Sequence, residues 1–362
     1  MWTDLIMAHV DAAAYRCRIA LAGATLFLAL VAAANAFSQP AAQPPKALHE
    51  TGLYVDRAML QVDPRHLAFS PQYPLWTDGA TKRRWISLPP GTTIDASDPD
   101  AWVFPVGTRF WKEFAFAGQR VETRYLERTA EGWIYAAYAW SGDGHDATLV
   151  AERGRRHAYP LGGGRSHTIP GVNDCKACHQ GGRSEVLGFS ALQLSPDRDP
   201  NAPHAEPSDL DLTVLIERGL LIGLPQQHKA PRIHASSATE RAALGYMHGN
   251  CGHCHNQQGS LQNLGLFLRH VTTADVEPAR ASTAGRPMTK PAPGQSPDAV
   301  LRIAPHHPEQ SALLQRIASR IPALQMPPLG TALVDDQAVA LLRRWVAEMK
   351  EPTTNGTEGR EQ

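Results

Sequence analysis

Residues 108–117, Thr108-Arg-Phe-Trp-Lys-Glu-Phe-Ala-Phe-Ala117, alternate aromatic and polar side chains with a period of two, which is the pattern of a half-buried β-strand. On such a strand Phe110, Lys112, Phe114 and Phe116 share one face, while Trp111, Glu113 and Ala115 point the other way. Comparable aromatic or β-branched segments lie on both sides: KRRWISL from Lys82, WVFPV from Trp102, RVETRYLER from Arg120 and GWIYAAYAW from Gly132. Turns such as Pro89-Pro90-Gly91 and Ser141-Gly142-Asp143-Gly144 divide them. Residues 50–195 therefore read as a twisted antiparallel sheet or sandwich.

The pattern changes after Ser195. Residues 196–208 are rich in Pro and Asp and read as a linker. Within 209–350 the period becomes helical, over Leu210–Leu221, Thr239–Asn250, Glu309–Arg320 and Asp335–Met349. The expected class is α+β, with an N-terminal β-sheet or sandwich module followed by an all-α domain. At the start of the chain, Ile19–Phe37 is apolar and Ala-rich, follows Arg16 and Arg18, and ends in Ala34-Asn35-Ala36. This predicts a signal peptide over 1–36, cleaved after Ala36. Its n-region is long, so either Met7 is the start or the segment stays as an inner-membrane anchor, although the run is short for a span of about 20 residues. Residues 37–49 read as a Pro/Ala tether and 351–362 as a disordered tail.

Lys plus Arg and Asp plus Glu both number 35, so no global field points to nucleic acid, and docking to a redox partner must use a local patch. The 29 prolines and 29 glycines suit a loop-rich extracytoplasmic protein.

Chemistry concentrates in two copies of C-x-x-C-H, Cys175-Lys-Ala-Cys178-His179 and Cys251-Gly-His-Cys254-His255. In each, two thiols can add across the vinyl groups of one haem while the adjacent imidazole supplies an axial nitrogen to iron. Zinc is the main rival, but a four-cysteine site usually brings its second pair within about 15 to 20 residues, and Cys251 lies far beyond that from Cys178. A dithiol redox site is the other rival, and it does not require histidine after each second cysteine. Of five cysteines the motifs use four, and Cys17 lies in the export segment, so no disulfide framework remains. The expected cofactors are two covalently bound c-type haems, held by Cys175, Cys178, Cys251 and Cys254, with His179 and His255 as iron ligands. Haem attachment outside the bacterial cytoplasm agrees with export to the periplasm.

From 236 to 350 the order is a helix, C-x-x-C-H, loops, Met326-Pro327-Pro328-Leu329-Gly330, and a terminal helix carrying Trp345. This resembles a class I cytochrome c domain, departing from it in a Pro-rich insertion over Thr272–Ser296. The resemblance implies His255 as proximal ligand and Met326 as distal ligand, a soft thioether that raises the potential. By the residues alone, Met326 can also be a loop methionine, and His306-His307 are competing ligands, although Pro305 and Pro308 mark a turn there. His253 reads as a spacer within its motif.

Phe104, Gly107, Thr108, Lys112 and Glu113 form F-x-x-G-T-x-x-x-K-E, followed by Trp133–Tyr138 and then CKACH. This is similar to the c-haem cytochromes that oxidise hydroxylamine and carry a lysine-to-porphyrin cross-link, and the resemblance places Lys112 at the cross-linking position. Independently, a lysine among phenylalanines needs a partner: the haem, an ion pair with a residue such as Glu122, or an exit to the sheet edge. The distal ligand of the first haem stays open between His145, His157, His167 and a free sixth position. Over 50–350 the chain resembles bacterial di-haem c-type cytochromes that join a β-rich haem module to a cytochrome c domain. The implied activity is electron transfer between the two haems and a periplasmic or membrane-bound redox protein. The alternatives are an oxidoreductase whose open first haem acts on peroxide or a nitrogen compound, and a haem-based redox sensor.

Overall fold

The computed structural model describes residues 43–289 and 300–349. The export segment with Cys17, the start of the tether, the end of the Pro-rich insertion and the tail lie outside the described residues.

A short hairpin, β1 (Tyr54–Asp56) and β2 (Gln61–Val62), leads into β3 (Leu67–Ala68) and β4 (Thr81–Ser87). After β5 (Ile94–Asp95) come the long strands β6 (Arg109–Phe116), β7 (Gln119–Arg128) and β8 (Trp133–Trp140), then β9 (Ala147–Leu149). These build one six-stranded antiparallel meander in the order β3-β4-β6-β7-β8-β9. A separate hairpin, β10 (Arg155–Gly162) and β11 (Arg165–Ile169), follows it. The segment WVFPV is not a strand. Only Val103 bridges to Asp95, while Trp102 and Phe104 are buried in a cluster with Phe69, Phe110 and Phe189.

Alternation sorts the sheet's two faces. Trp85, Trp111, Tyr125 and Ala136 lie in register on one face, with Leu48 and Leu53 of the preceding segment packed over them. The opposite face is layered along the strands. Ile86, Phe110, Leu126 and Tyr135 form an apolar row that joins the main core, and the next row is Arg84, Lys112, Arg124 and Ala137.

Among the described residues six α-helices complete the fold: α1 (Val172–His179), α2 (Leu212–Glu217), α3 (Ala238–Asn250), α4 (Pro278–Thr283), α5 (Ala312–Ile317) and α6 (Asp336–Glu348). The ends of α3 and α6 are set by Ser237 and Asp335, whose side chains accept from Glu240 N–H and Ala338 N–H. Trp345 and Val346 of α6 pack on Leu244 and Met247 of α3. The chain is thus mixed α and β. Its C-terminal part also contributes a strand, β12 (Leu221–Ile222), which pairs in parallel with β5.

The described chain from Pro44 onward belongs to one compact unit. Residues 196–208 pack within it: Asp197 accepts from Arg241, the Asp199 N–H donates to Gln72 at 3.0 Å, and His204 meets Asp335 at 2.9 Å. Trp76 N–H donates to Asn250 Oδ1 at 2.7 Å, tying the approach to β4 to the end of α3. That tie needs glycine at 245, where a Cβ would sit 2.0 Å from the Tyr73 ring. Among the described residues no helix is long and apolar enough to cross a membrane.

Candidate functional site

The first motif is helical throughout. It ends α1, which packs on β8, where the Tyr135 ring lies 5.3 Å from that of His179. His179 Nδ1 donates to Glu185 O at 2.5 Å, which fixes the tautomer and leaves Nε2 without a proton. Burial pushes this imidazole's pKa down to about 4, so at neutral pH it is an uncharged nitrogen donor.

The second motif begins where α3 ends. Cys251 N–H still donates to Met247 O at 2.9 Å, and His255 N–H turns back to Cys251 O at 2.9 Å, so the pentapeptide is wound as one tight turn. Leu268 N–H donates to His255 O at 2.8 Å and holds the next loop against it. His255 is buried, burial lowers its pKa, and its Nδ1 has no hydrogen-bond partner among the described residues.

The two motifs touch. Asn256 Nδ2 donates to Gly181 O at 2.7 Å as well as to Gly252 O and His253 O, while its Oδ1 accepts from Gln258 and Gly259 N–H. A Cβ on Gly181 would stand 2.4 Å from His253 O, so the chain just after the first motif lies directly on the second. Asn256 has no special mark in the sequence beyond following His255. Its role comes entirely from this long-range packing.

Both motifs line one cavity of about 870 Å³, the size of a site for a large organic cofactor. All four cysteines face it as free thiols. Burial raises their pKa values, to about 11 for Cys175 and Cys178 and about 12 for Cys251. Met326 lines the same cavity as His255, with Leu264, Leu268 and Leu313 around it. His306 and His307 do not line it, and His306 is exposed with its Nδ1 at 3.3 Å from Ala347 O. His253 does line it, with a buried Nδ1 that has no partner among the described residues.

None of the three upstream histidines reaches the cavity. His145 is exposed in a turn, and His157 meets Ser166 at 2.7 Å on the surface. Both ring nitrogens of His167 are taken, Nε2 by Glu122 at 3.0 Å and Nδ1 by Asp78 at 3.4 Å. The Asp78 carboxylate also accepts from Ala332 and Leu333 N–H at 2.7 and 2.9 Å, joining this buried pair to the loop that follows Met326.

Lys112 also faces the cavity, and of its three candidate partners the Glu122 ion pair does not form. Glu122 stands opposite Phe114, not Lys112, and spends its oxygens on Arg124 at 2.7 Å and on His167. The residues directly across from Lys112 are Arg84 and Arg124. Burial, followed by the charges of Arg84, Lys82 and Arg124, holds the Lys112 pKa well below its usual value. Its ammonium lies 4.9 Å from the Phe114 ring centroid. Sequence periodicity puts Lys112 on this face, whereas the two arginines become visible only once strand order and register are known.

Chemically the cavity offers four thiols, three imidazoles that burial holds as neutral donors, the thioethers of Met288 and Met326, and a cationic floor. Among the described residues no three His, Cys, Asp or Glu side chains cluster closely enough to hold a bare metal ion, so the thiols are not gathered as a zinc site. The set fits macrocycles anchored at their edges by thiols and ligated through their metal by imidazole. The chain matches no protein-family model, no curated protein and no solved structure.

Proposed function

We propose that this chain is an exported di-haem c-type cytochrome. Its first haem is attached through Cys175 and Cys178 with His179 as ligand, and its second through Cys251 and Cys254 with His255 and Met326 as ligands. The observation that carries the reading is that two complete attachment motifs, far apart in sequence, open into one cavity and touch through Gly181, His253 and Asn256. When bound, each haem supplies reversible one-electron exchange at its iron. The chain's own residues do the rest. Glu185 O orients His179, burial keeps both proximal imidazoles neutral, and Met326 offers a thioether on the wall shared with His255. Asn256 fixes one attachment turn against the other. On this reading electrons pass between the haems and onward to a periplasmic or membrane-bound redox protein, residues 1–36 direct export, and the helical C-terminal part is a cytochrome c-type domain.

A second reading is favoured by one observation: His145, His157 and His167 all lie off the cavity. The first haem then keeps a position for a small molecule such as peroxide or a nitrogen compound, with Lys112 beside it, and the second haem serves as relay. Optical spectra of the purified holoprotein separate the two. Electron transfer alone predicts low-spin spectra unmoved by peroxide, hydroxylamine or carbon monoxide, whereas the second reading predicts a change confined to the first haem. A redox sensor would show reversible haem reduction without turnover.

A further inference from the structure

Arg84, Lys112 and Arg124 stand side by side on β4, β6 and β7, in register, all aimed from the sheet into the cavity. Adjacent strands are about 4.8 Å apart, so the three cations span roughly 10 Å. Arg124 has a counter-ion in Glu122. Arg84, only 6 % exposed, and Lys112 make neither an ion pair nor a side-chain hydrogen bond among the described residues. Lys112 is half-buried and lines the cavity. Keeping such groups charged without a partner is costly, which is why the Lys112 pKa is held low, and three basic side chains in register on one cavity wall suit a ligand that neutralises them.

We propose that this row is a built anion site, whose ligand is a carboxylate or small oxyanion held by the guanidinium of Arg84 and the ammonium of Lys112, with Arg124 closing it. The planar fork of an arginine matches two oxygens of such a ligand, and the neighbouring ammonium adds a point charge. Glu122 is committed to Arg124 and His167, and Asp78 to His167 and the 332–333 backbone, while Glu206, the one carboxylate whose charge reaches Arg84, forms no ion pair with it and accepts from Ser70 at 3.5 Å. The same chemistry has two sources, a propionate of the first haem or a free anion from solution. The propionate source rests on the proposed function, and the free-anion source does not.

The test uses the purified full-length holoprotein. Calorimetric titration with nitrite, formate and inorganic phosphate reads a free ligand directly, with or without haem. A saturable heat that weakens about tenfold or more in Arg84→Gln, as expected for a lost charge-assisted bond, assigns the site to a free anion. Absence of that heat, together with a lower midpoint potential of the first haem alone in Arg84→Gln and Lys112→Gln, assigns it to a propionate. Lys112→Arg and Arg84→Lys keep the charge and rescue either signature, which separates charge loss from misfolding. No anion binding, with the first haem's potential and its pH profile unchanged in both glutamine variants, overturns the anion site. A haem count below two overturns the cytochrome reading instead, and leaves the calorimetry to decide the site.

Discussion

The same pentapeptide sits in two unlike surroundings. The first motif ends a helix laid on a sheet whose facing row is cationic, with the buried Glu122, His167 and Asp78 chain alongside. The second is a turn at the end of α3, in the same cavity as several leucines and the thioethers of Met288 and Met326, with α6 packed behind. The same motif therefore meets different chemistry in each place. On the proposed function the first haem answers to charge and anions, and the second to its distal sulfur.

The largest expected effect isolates the two regions. Cys175→Ala with Cys178→Ala should remove one whole haem from the exported protein and leave the second with its potential and Met ligation. The mirror pair at Cys251 and Cys254 should do the reverse. Intact mass and pyridine haemochrome spectra count the haems, and loss of both from either pair would break the comparison.

Next is the buried Glu122, His167 and Asp78 chain beside the first motif. Replacing His167 by Phe leaves Glu122 and Asp78 without their shared partner, at an expected cost of about 3–5 kcal/mol in denaturant unfolding. Burial opposes the charged imidazole, but hydrogen bonds to Asp78 and Glu122 outweigh it and raise the His167 pKa. Its stabilisation is thus complete below the unfolded value near 6.5 and lost as pH rises through the folded one. The wild-type curve should show this loss, and His167→Phe should remove it.

The long strands and the terminal helix were legible in the sequence because each is written in local periodicity. The expected strand over 108–117 forms as Arg109–Phe116, and the expected helix 335–349 as Asp336–Glu348. Other elements came out shorter, as with Ala312–Ile317 in place of 309–320, where Ser319 and Arg320 turn away and the Arg320 guanidinium donates to Leu333 O. The cation row, Glu122 pairing and the contact of Gly181 with His253 were not legible. Each joins residues from different strands or turns, and no local pattern encodes register across a sheet. Glu122 was a sound candidate for Lys112 by face, and lost to Arg124 because register placed it opposite Phe114 instead.

Gly181→Val probes the seam between the regions. Its Cβ would fall 2.4 Å from His253 O, so the two turns must separate, at about 1–3 kcal/mol by thermal unfolding. Both haems should remain bound while their mutual influence weakens.

The mildest expected change is confined to the second region. Met326→Ala should lower the second haem's potential by on the order of a hundred millivolts and abolish the weak far-red band of a His/Met ferric haem, with the first haem unmoved. An unchanged potential and band would remove Met326 from the ligand set.

The central claim is that two haems occupy one cavity on attachment turns that touch. Electron paramagnetic resonance of the fully oxidised holoprotein, compared with the two single-haem variants, tests it most directly. The account predicts a holoprotein spectrum broadened and relaxing faster than the sum of the two variants' spectra. A spectrum equal to that sum, or an exported protein without haem, would contradict it.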